Sequence, residues 1–385
     1  MKAFFVYFHL YFDRKFMNNA FITAITINEV RNIRELKIPL SSSERKHLIL
    51  TGKNGSGKTS VLEGLRDSLQ RLFGLHVASK HNIEVALADD EVNSLLNEGK
   101  FVSAFFDSKR QSKFNKPEGI KKVQLKTNYH LTEKIANQFI QYIVNLKADR
   151  SFAKDENETE VVKEVDRWFL HFEKSLTELF GVPNLILSFD RKNYNFNIIE
   201  IGKEPYSLND LSDGYSAVLS IVTELLLRMD SSGSKNYDVQ GIVLIDEIET
   251  HLHIELQKKI LPFLTSFFPK IQFIVTTHSP FVLSSIENAV VCDLEKKIVT
   301  DDLSGYSYDT LIESYFEADK YSTVLKNKMQ EYEQLMAKES LQDSEKLQLE
   351  ELKKYIEDVP KFLADELAVK IQQIQLKKLN NKKNQ

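Results

Sequence analysis

The sequence has almost no cysteine. Cys292 is the single thiol in 385 residues, so no disulfide can form within the chain, and its setting "AVVCDL" reads as a buried strand. A reducing cytoplasm is the expected compartment. Also missing is an apolar run long enough to cross a bilayer. The opening "MKAFFVYFHLYFDRKF" is apolar but too short, and no small-x-small cleavage pattern follows it. Because Met17 begins the more ordinary "MNNAFITAITINEV", residues 1–16 are expected to be an extension outside the fold, a mis-assigned start. Neither charge sign dominates, with 51 Lys and Arg against 55 Asp and Glu. That balance excludes a surface that coats nucleic acid all over, and it leaves local basic patches open. One such patch, "KKLNNKKNQ" (377–385), is expected to be a solvated tail.

The length exceeds the ~100–200 residues usual for one domain. "FITAITINEVRNIRELKIPL" (21–40) alternates apolar and polar residues through two runs with "RN" between them, which predicts a β-hairpin. "HLILTG" follows as an apolar strand ending in a glycine turn, and "TSVLEGLRDSLQRLF" carries Leu62, Leu65, Leu69 and Leu72 at helical spacing. Residues 17–79 are therefore expected to form an N-terminal lobe. Residues 80–181 have a different texture, with the charged, strand-like "FVSAFFDSKRQSKF" ahead of two helices, and are expected to be an inserted, mainly helical arm. The arm's second helix places Val161, Val165, Trp168, Phe169, Phe172 and Leu176 on one face. Residues 182–319 return to α/β texture: "LILSFDRKNYNFNIIEI", then "GIVLI", a helix with Leu252, Leu256, Ile260 and Leu264, "IQFIVTT" and "AVVCDL". Apolar runs separated by helices predict a mixed, mostly parallel sheet with flanking helices. Residues 320–385 read as helical, with Leu325, Met329, Tyr332 and Met336, then Leu349, Leu352, Ile356 and Val359, on the stripes of a hairpin or short coiled coil.

"GKNGSGKT" (52–59) matches the phosphate loop G-x-x-x-x-G-K-[ST] in full, with the required strand before it and helix after it. Gly52, Asn54, Gly55 and Gly57 would let backbone N–H groups curve around phosphate oxygens, with Ser60 in the first turn of the helix whose positive end points at the same place. Lys58 would neutralise the β- and γ-phosphates, and the Thr59 hydroxyl would ligate Mg²⁺. The expected ligands are ATP and Mg²⁺. "GIVLIDE" ends a buried strand in Asp246 and Glu247 at the carboxyl edge of the sheet, where α/β ligands sit. Asp246 would hold Mg²⁺ directly or through water, and Glu247 would polarise the attacking water. In "IVTTHSPF", His278 lies just past a third strand and could hydrogen-bond the γ-phosphate or that water. "ETHLH" brings Glu249, His251 and His253 close in sequence, but histidines two apart do not share a helix face, which disfavours zinc.

With those residues in hand, the sequence resembles the ABC-type ATPase heads of the SMC, RecF and OLD group, and especially the compact AAA-like ATPases of bacterial anti-phage systems. The resemblance covers 21–74 and 185–294, and the order phosphate loop, "LSDGY", "LIDE", "TTH" is more specific than any one element. It implies ATP sandwiched between two heads, with Ser212 and Gly214 of one reaching the γ-phosphate held by the other. It also implies that "ETHLH" lies where the heads meet and that Asn32, in "VRNI", lies near the adenine. "LSDGY" lacks the second glycine and the glutamine of the transporter signature, which points away from transporters. Gln111, in "FFDSKRQSK", is the candidate for the glutamine loop and its metal contact. Asp213 is expected to cap the helix that follows.

Three functions follow. The leading one is an ATPase that dimerises on ATP and controls a partner effector, a nuclease or toxin of a phage-defence system. A second is a repair ATPase that clamps DNA or RNA, motivated by the basic stretch "SKRQSKFNKPEGIKK" (108–122). A third, an OLD-type nuclease, is disfavoured because no strand alternation follows Leu294 to build its metal-binding sheet.

Overall fold

The computed structural model describes residues 20–89, 92–230, 239–315, 323–338 and 340–357. The expected N-terminal extension and the basic tail lie outside these residues. Contacts divide the chain into one unit up to Tyr306 and a second from Ser307.

In the first unit, β1 (Ile22–Val30) and β2 (Ile33–Pro39) form the expected hairpin. Arg31, at the turn, takes φ 49°. The central sheet has the order β12-β11-β3-β10-β9-β5, from β3 (His47–Thr51), β5 (Phe101–Phe106), β9 (Gln240–Ile245), β10 (Ile271–Thr276), β11 (Ala289–Asp293) and β12 (Ile298–Asp301). Every pairing is parallel except that of β11 with β12. All residues of β3, β10 and β11 are buried, as a parallel sheet covered on both faces requires. Helix α1 (Lys58–Leu72) lays Val61, Leu62, Leu65 and Leu69 on one core with Ile25, Ile27, Leu48 and Ile274. Each such side chain contributes about 1.5–3 kcal/mol when fully buried. Leu72, the fourth leucine of the stripe, is 40% exposed at the helix end.

Two strands lie inside the stretch expected as a helical arm. β4 (Asn82–Leu87) pairs with β1, giving an antiparallel sheet in the order β2-β1-β4. β5 pairs with β9 and closes that edge of the central sheet. "FVSAFF" is the strand-like piece of that stretch, and the free edge of β9 supplies its partner; "NIEVAL" is too short a run for its period to separate strand from helix. The helices do follow: α2 (Val92–Asn97), then α3 (Phe139–Asp155) and α4 (Thr159–Phe180), the last two joined by Phe139, Tyr142, Trp168 and Phe172 in mutual ring contact. A small antiparallel sheet, β6 (Ile186–Asp190), β7 (Asn195–Ile199) and β8 (Tyr206–Ser207), comes next. It precedes α5 (Asp213–Asp230), the helix α6 (Ile254–Phe267) and the single turn α7 (Pro280–Leu283). Helix α5 is buried almost along its length. Its Glu224 and Arg228 pair at 2.8 Å, and Glu224 also accepts from the N–H groups of Ile135 and Ala136.

In the second unit, α8 (Thr323–Ala337) and α9 (Asp343–Glu357) pack as an intrachain hairpin around Tyr332, Leu335 and Leu352. Val359, on the expected stripe, lies outside the described residues. Among the described residues no helix is long and apolar enough to cross a membrane.

Candidate nucleotide site

Register brings the site together. Thr276 of β10 pairs with Leu50 of β3, Val275 with Ile245 of β9, and Ile245 with Phe106 of β5. The chain therefore leaves four neighbouring parallel strands at the same edge. There it carries the phosphate loop, the acid pair, His278 and the loop that begins at Asp107.

Gly52, Gly55 and Gly57 take φ of 128°, 85° and 98°, a region closed to most side chains. A Cβ on Gly55 would meet nothing within 4 Å, so its approach side is open, whereas one on Gly52 would lie 2.9 Å from the Ser56 hydroxyl. Helix α1 starts at Lys58 with no side-chain cap on its first N–H groups, which leaves those donors to an anion. The Lys58 ammonium donates to the carbonyls of Gly52 (2.8 Å) and Lys53 (3.2 Å). Burial lowers its pKa, while Glu247, Glu249, Asp246 and Asp293 pull it back up. Asn54 and Thr59 are exposed and Ser60 is buried in the first turn. The Ser56 and Thr51 hydroxyls are buried without a partner. Asn32 is exposed on the β1–β2 turn, and Ile33 beside it comes within 3.3 Å of a Cβ built on Gly57.

The acid pair meets the phosphate loop directly. The Thr59 hydroxyl donates to Asp246 Oδ2 at 3.0 Å, and the Thr276 hydroxyl donates to Asp246 Oδ1 at 2.6 Å. Thr276 Oγ1 also accepts from the Glu247 N–H at 2.7 Å. Glu247 has φ 44°, a left-handed backbone that costs a non-glycine residue about 1–3 kcal/mol and persists only where its surroundings impose it. Glu249 joins the site unexpectedly: Oε1 accepts from the His278 N–H at 2.5 Å, and Oε2 is buried without a partner. His278 is half-buried. Its pKa is pushed down by burial first and by the Lys58 charge second, so the ring is neutral near pH 7.

Sequence reasoning missed Arg110. The residue is 4% exposed, and its guanidinium donates to the carbonyls of Asp246 (2.5 Å), Glu247 (2.8 Å) and Asp107 (2.8 Å). Gln111, the glutamine-loop candidate, is exposed on the same loop, and it is Arg110 that reaches the acid pair. One residue further on, the Ser112 and Ser216 hydroxyls hydrogen-bond at 2.8 Å, tying this loop to α5. Nothing in the "KRQSK" pattern marks Arg110, because its partners at the acid pair are backbone carbonyls 136 and 137 residues away.

Ser212 is exposed at the start of α5, and its carbonyl accepts from the Ser216 N–H at 2.8 Å. Ser212 therefore occupies the cap position, and Asp213, expected to be the cap, is the first helical residue. Its carboxylate still sits where the helix dipole favours it. A Cβ on Gly214 would lie 2.8 Å from the His251 carbonyl, so signature and "ETHLH" touch within one chain. A cavity of about 430 Å³ opens there, lined by Ser212, Gly214, Tyr215, His251, His253 and Lys259 among others. Among the described residues no three His, Cys, Asp or Glu side chains are placed to hold a metal ion.

Residues 133–284 match the family described as "AAA domain, putative AbiEii toxin, Type IV TA system". The chain is 27% identical over 338 residues to "Septu protein PtuA" of Bacillus mycoides (strain KBAB4), covering 79% of this chain and 46% of that protein. It is 33% identical over 164 residues to "Retron Ec83 probable ATPase" of Escherichia coli, covering 39% of this chain and 30% of that protein. It thus spans less than half the length of either relative. Among solved structures, the SMC head domain from Thermotoga maritima aligns with a TM-score of 0.37 at 14% identity, covering 73% of this chain and 97% of that one. The matched segment contains "LSDGY", the acid pair and His278, and the phosphate loop leaves β3, the strand beside β10; over that segment the chain is similar to the AAA-domain family, and its fold is that of a P-loop ATPase.

Proposed function

We propose that the chain binds Mg²⁺-ATP at the phosphate loop and hydrolyses it between two heads, and that this cycle controls a partner effector, a nuclease or toxin, in bacterial anti-phage defence. The carrying observation is the 3.0 Å bond between the Thr59 hydroxyl and the Asp246 carboxylate. It joins the two halves of a Mg²⁺-nucleotide site whose residues are far apart in sequence. The residues fit the metal: a hydroxyl and a carboxylate side by side, with too few other protein ligands to cage it, match an ion completed by phosphate and water oxygens. When bound, Mg²⁺ would supply positive charge to the β- and γ-phosphate oxygens. The uncapped turn of α1 and Lys58 hold the phosphates, Glu247 orients and polarises the attacking water, and neutral His278 hydrogen-bonds the water or the γ-phosphate. Ser212 and Gly214 serve a second copy's nucleotide. The similarity to Septu and retron proteins supports the defence setting.

Glu247→Gln tests the reading. Hydrolysis should fall by about 10²-fold or more, ATP should be retained, and ATP-dependent self-association should tighten. A variant that neither holds ATP nor associates more tightly with it refutes the proposal.

A DNA- or RNA-clamping ATPase is the second reading. Lys113, Lys116, Lys121 and Lys122 are exposed. Salt-sensitive nucleic-acid binding that is lost when the four are neutralised favours it; no binding at low salt favours the effector reading.

A further inference from the structure

Three observations converge on the loop that leaves β5. Glu247, the residue assigned to the attacking water, has a left-handed backbone, φ 44°. The carbonyls on either side of that residue's own N–Cα–C unit, those of Asp246 and Glu247, both accept from one guanidinium, Arg110 Nη1 and Nη2, at 2.5 and 2.8 Å. Arg110 itself is buried and braced by the Asp107 carbonyl at 2.8 Å. A planar fork with fixed donor directions can hold two carbonyls in a set relation, which a single ammonium cannot. With both carbonyls held, and the Glu247 N–H held by Thr276 Oγ1, the backbone at 247 has one conformation open to it. The direction in which the Glu247 side chain leaves the strand end is set with it.

We propose that Arg110 is a positioning residue for hydrolysis: it acts through the backbone of Glu247, fixing where that carboxylate meets the attacking water, and it does not bind nucleotide. This rests on the reading of Glu247 given above. The guanidinium makes its three hydrogen bonds to main-chain carbonyls, so the contribution is to geometry at the reacting end and not to affinity. The loop also carries Ser112, bonded to Ser216 of the signature helix. A displaced Arg110 would therefore be felt at the acid pair and at α5 together.

The full-length protein provides the test, with steady-state ATP hydrolysis and equilibrium binding of ATP measured on wild type, Arg110→Lys, Arg110→Gln, Glu247→Gln and the Arg110→Gln/Glu247→Gln double variant. Arg110→Gln is expected to lower kcat by about 10- to 100-fold, the scale on which misplacing a reacting group acts, with ATP affinity within about twofold of wild type. Arg110→Lys, which keeps the charge and loses the fork, is expected to lie nearer Arg110→Gln than wild type. In the Glu247→Gln background, Arg110→Gln should cause no further loss, because both changes remove the same step. Wild-type kcat in folded Arg110→Gln, or a loss of ATP affinity as large as the loss of kcat, overturns the proposal, as does a further full loss in the double variant. If Arg110→Gln does not fold, Arg110→Lys decides alone, and wild-type kcat in that variant overturns it. Equal hydrolysis by wild type and Glu247→Gln would instead sink the assignment of Glu247.

Discussion

His47 opens β3, the strand that delivers the phosphate loop, and it makes the fold sensitive to mild acid. The side chain is 7% exposed, its Nδ1 accepts from the Phe273 N–H at 3.0 Å, and its ring lies 5.8 Å from that of Phe273. Burial first, and the Arg45 charge second, push its pKa from 6.5 down to about 4. A protonated ring would also lose the lone pair that accepts from Phe273, so the folded chain keeps it neutral. Between those two values the unfolded chain binds a proton that the folded chain refuses, and stability falls as pH falls. At roughly 1.36 kcal/mol for each tenfold change in proton affinity, the loss from this one residue is about 2 kcal/mol between pH 8 and pH 5, and about 3 kcal/mol by pH 4. Urea unfolding followed by the fluorescence of Trp168, the single tryptophan, reads the unit that contains His47. His47→Asn retains an acceptor for Phe273 and removes the titration, so its stability should decline less over this range, by about the stated amount. A variant that loses stability between pH 8 and pH 5 as steeply as wild type refutes the argument.

Arg228→Met should cost about 3–5 kcal/mol in the same unfolding assay, because it strands Glu224, whose side chain is 4% exposed, in the interior. Thr276→Val removes the hydroxyl that orients Asp246 and receives the Glu247 N–H; the Mg²⁺ concentration for half-maximal hydrolysis should rise by about 10-fold or more. Ser212→Arg should leave ATP binding by one chain intact and abolish hydrolysis, and surviving hydrolysis would refute the head-to-head arrangement. Gly214→Ala is a poorer test of that arrangement, since its Cβ would press on the His251 carbonyl at 2.8 Å and disturb the loop after the acid pair within one chain.

Much of the fold and half of the site were legible in the sequence because they depend on neighbours along the chain. A strand, a glycine turn and a helix within 47–72 specify the phosphate loop by themselves, since positive φ at Gly55 and Gly57 and the uncapped turn of α1 are local demands. The hairpin around Arg31 and Asn32 is equally local. β4 was not legible, because its identity as a strand depends on the open edge supplied by β1; β5 reads as strand-like, but its place beside β9 depends on the edge that β9 supplies. Intrachain pairing of α8 with α9 was left open for the same reason: the stripe specifies an apolar face and not its occupant.

The site divides along the same line. Lys58, Asp246, Glu247 and His278 could be named because each occupies a fixed offset from the end of a strand. Arg110 and Glu249 serve those residues through backbone partners: Arg110 reaches main-chain carbonyls just past the end of the neighbouring strand β9, and Glu249, in the loop after β9, reaches the N–H of His278 in the loop after β10. A group that binds backbone places almost no demand on the residue types opposite it, so it leaves no matching pattern to find. Gly214 shows the converse. Its motif demands a glycine for a phosphate, and the approach of His251 demands a glycine for packing, so the residue type alone does not separate the two. Ser212 is exposed, which makes it the position where a substitution tests whether a second head is needed.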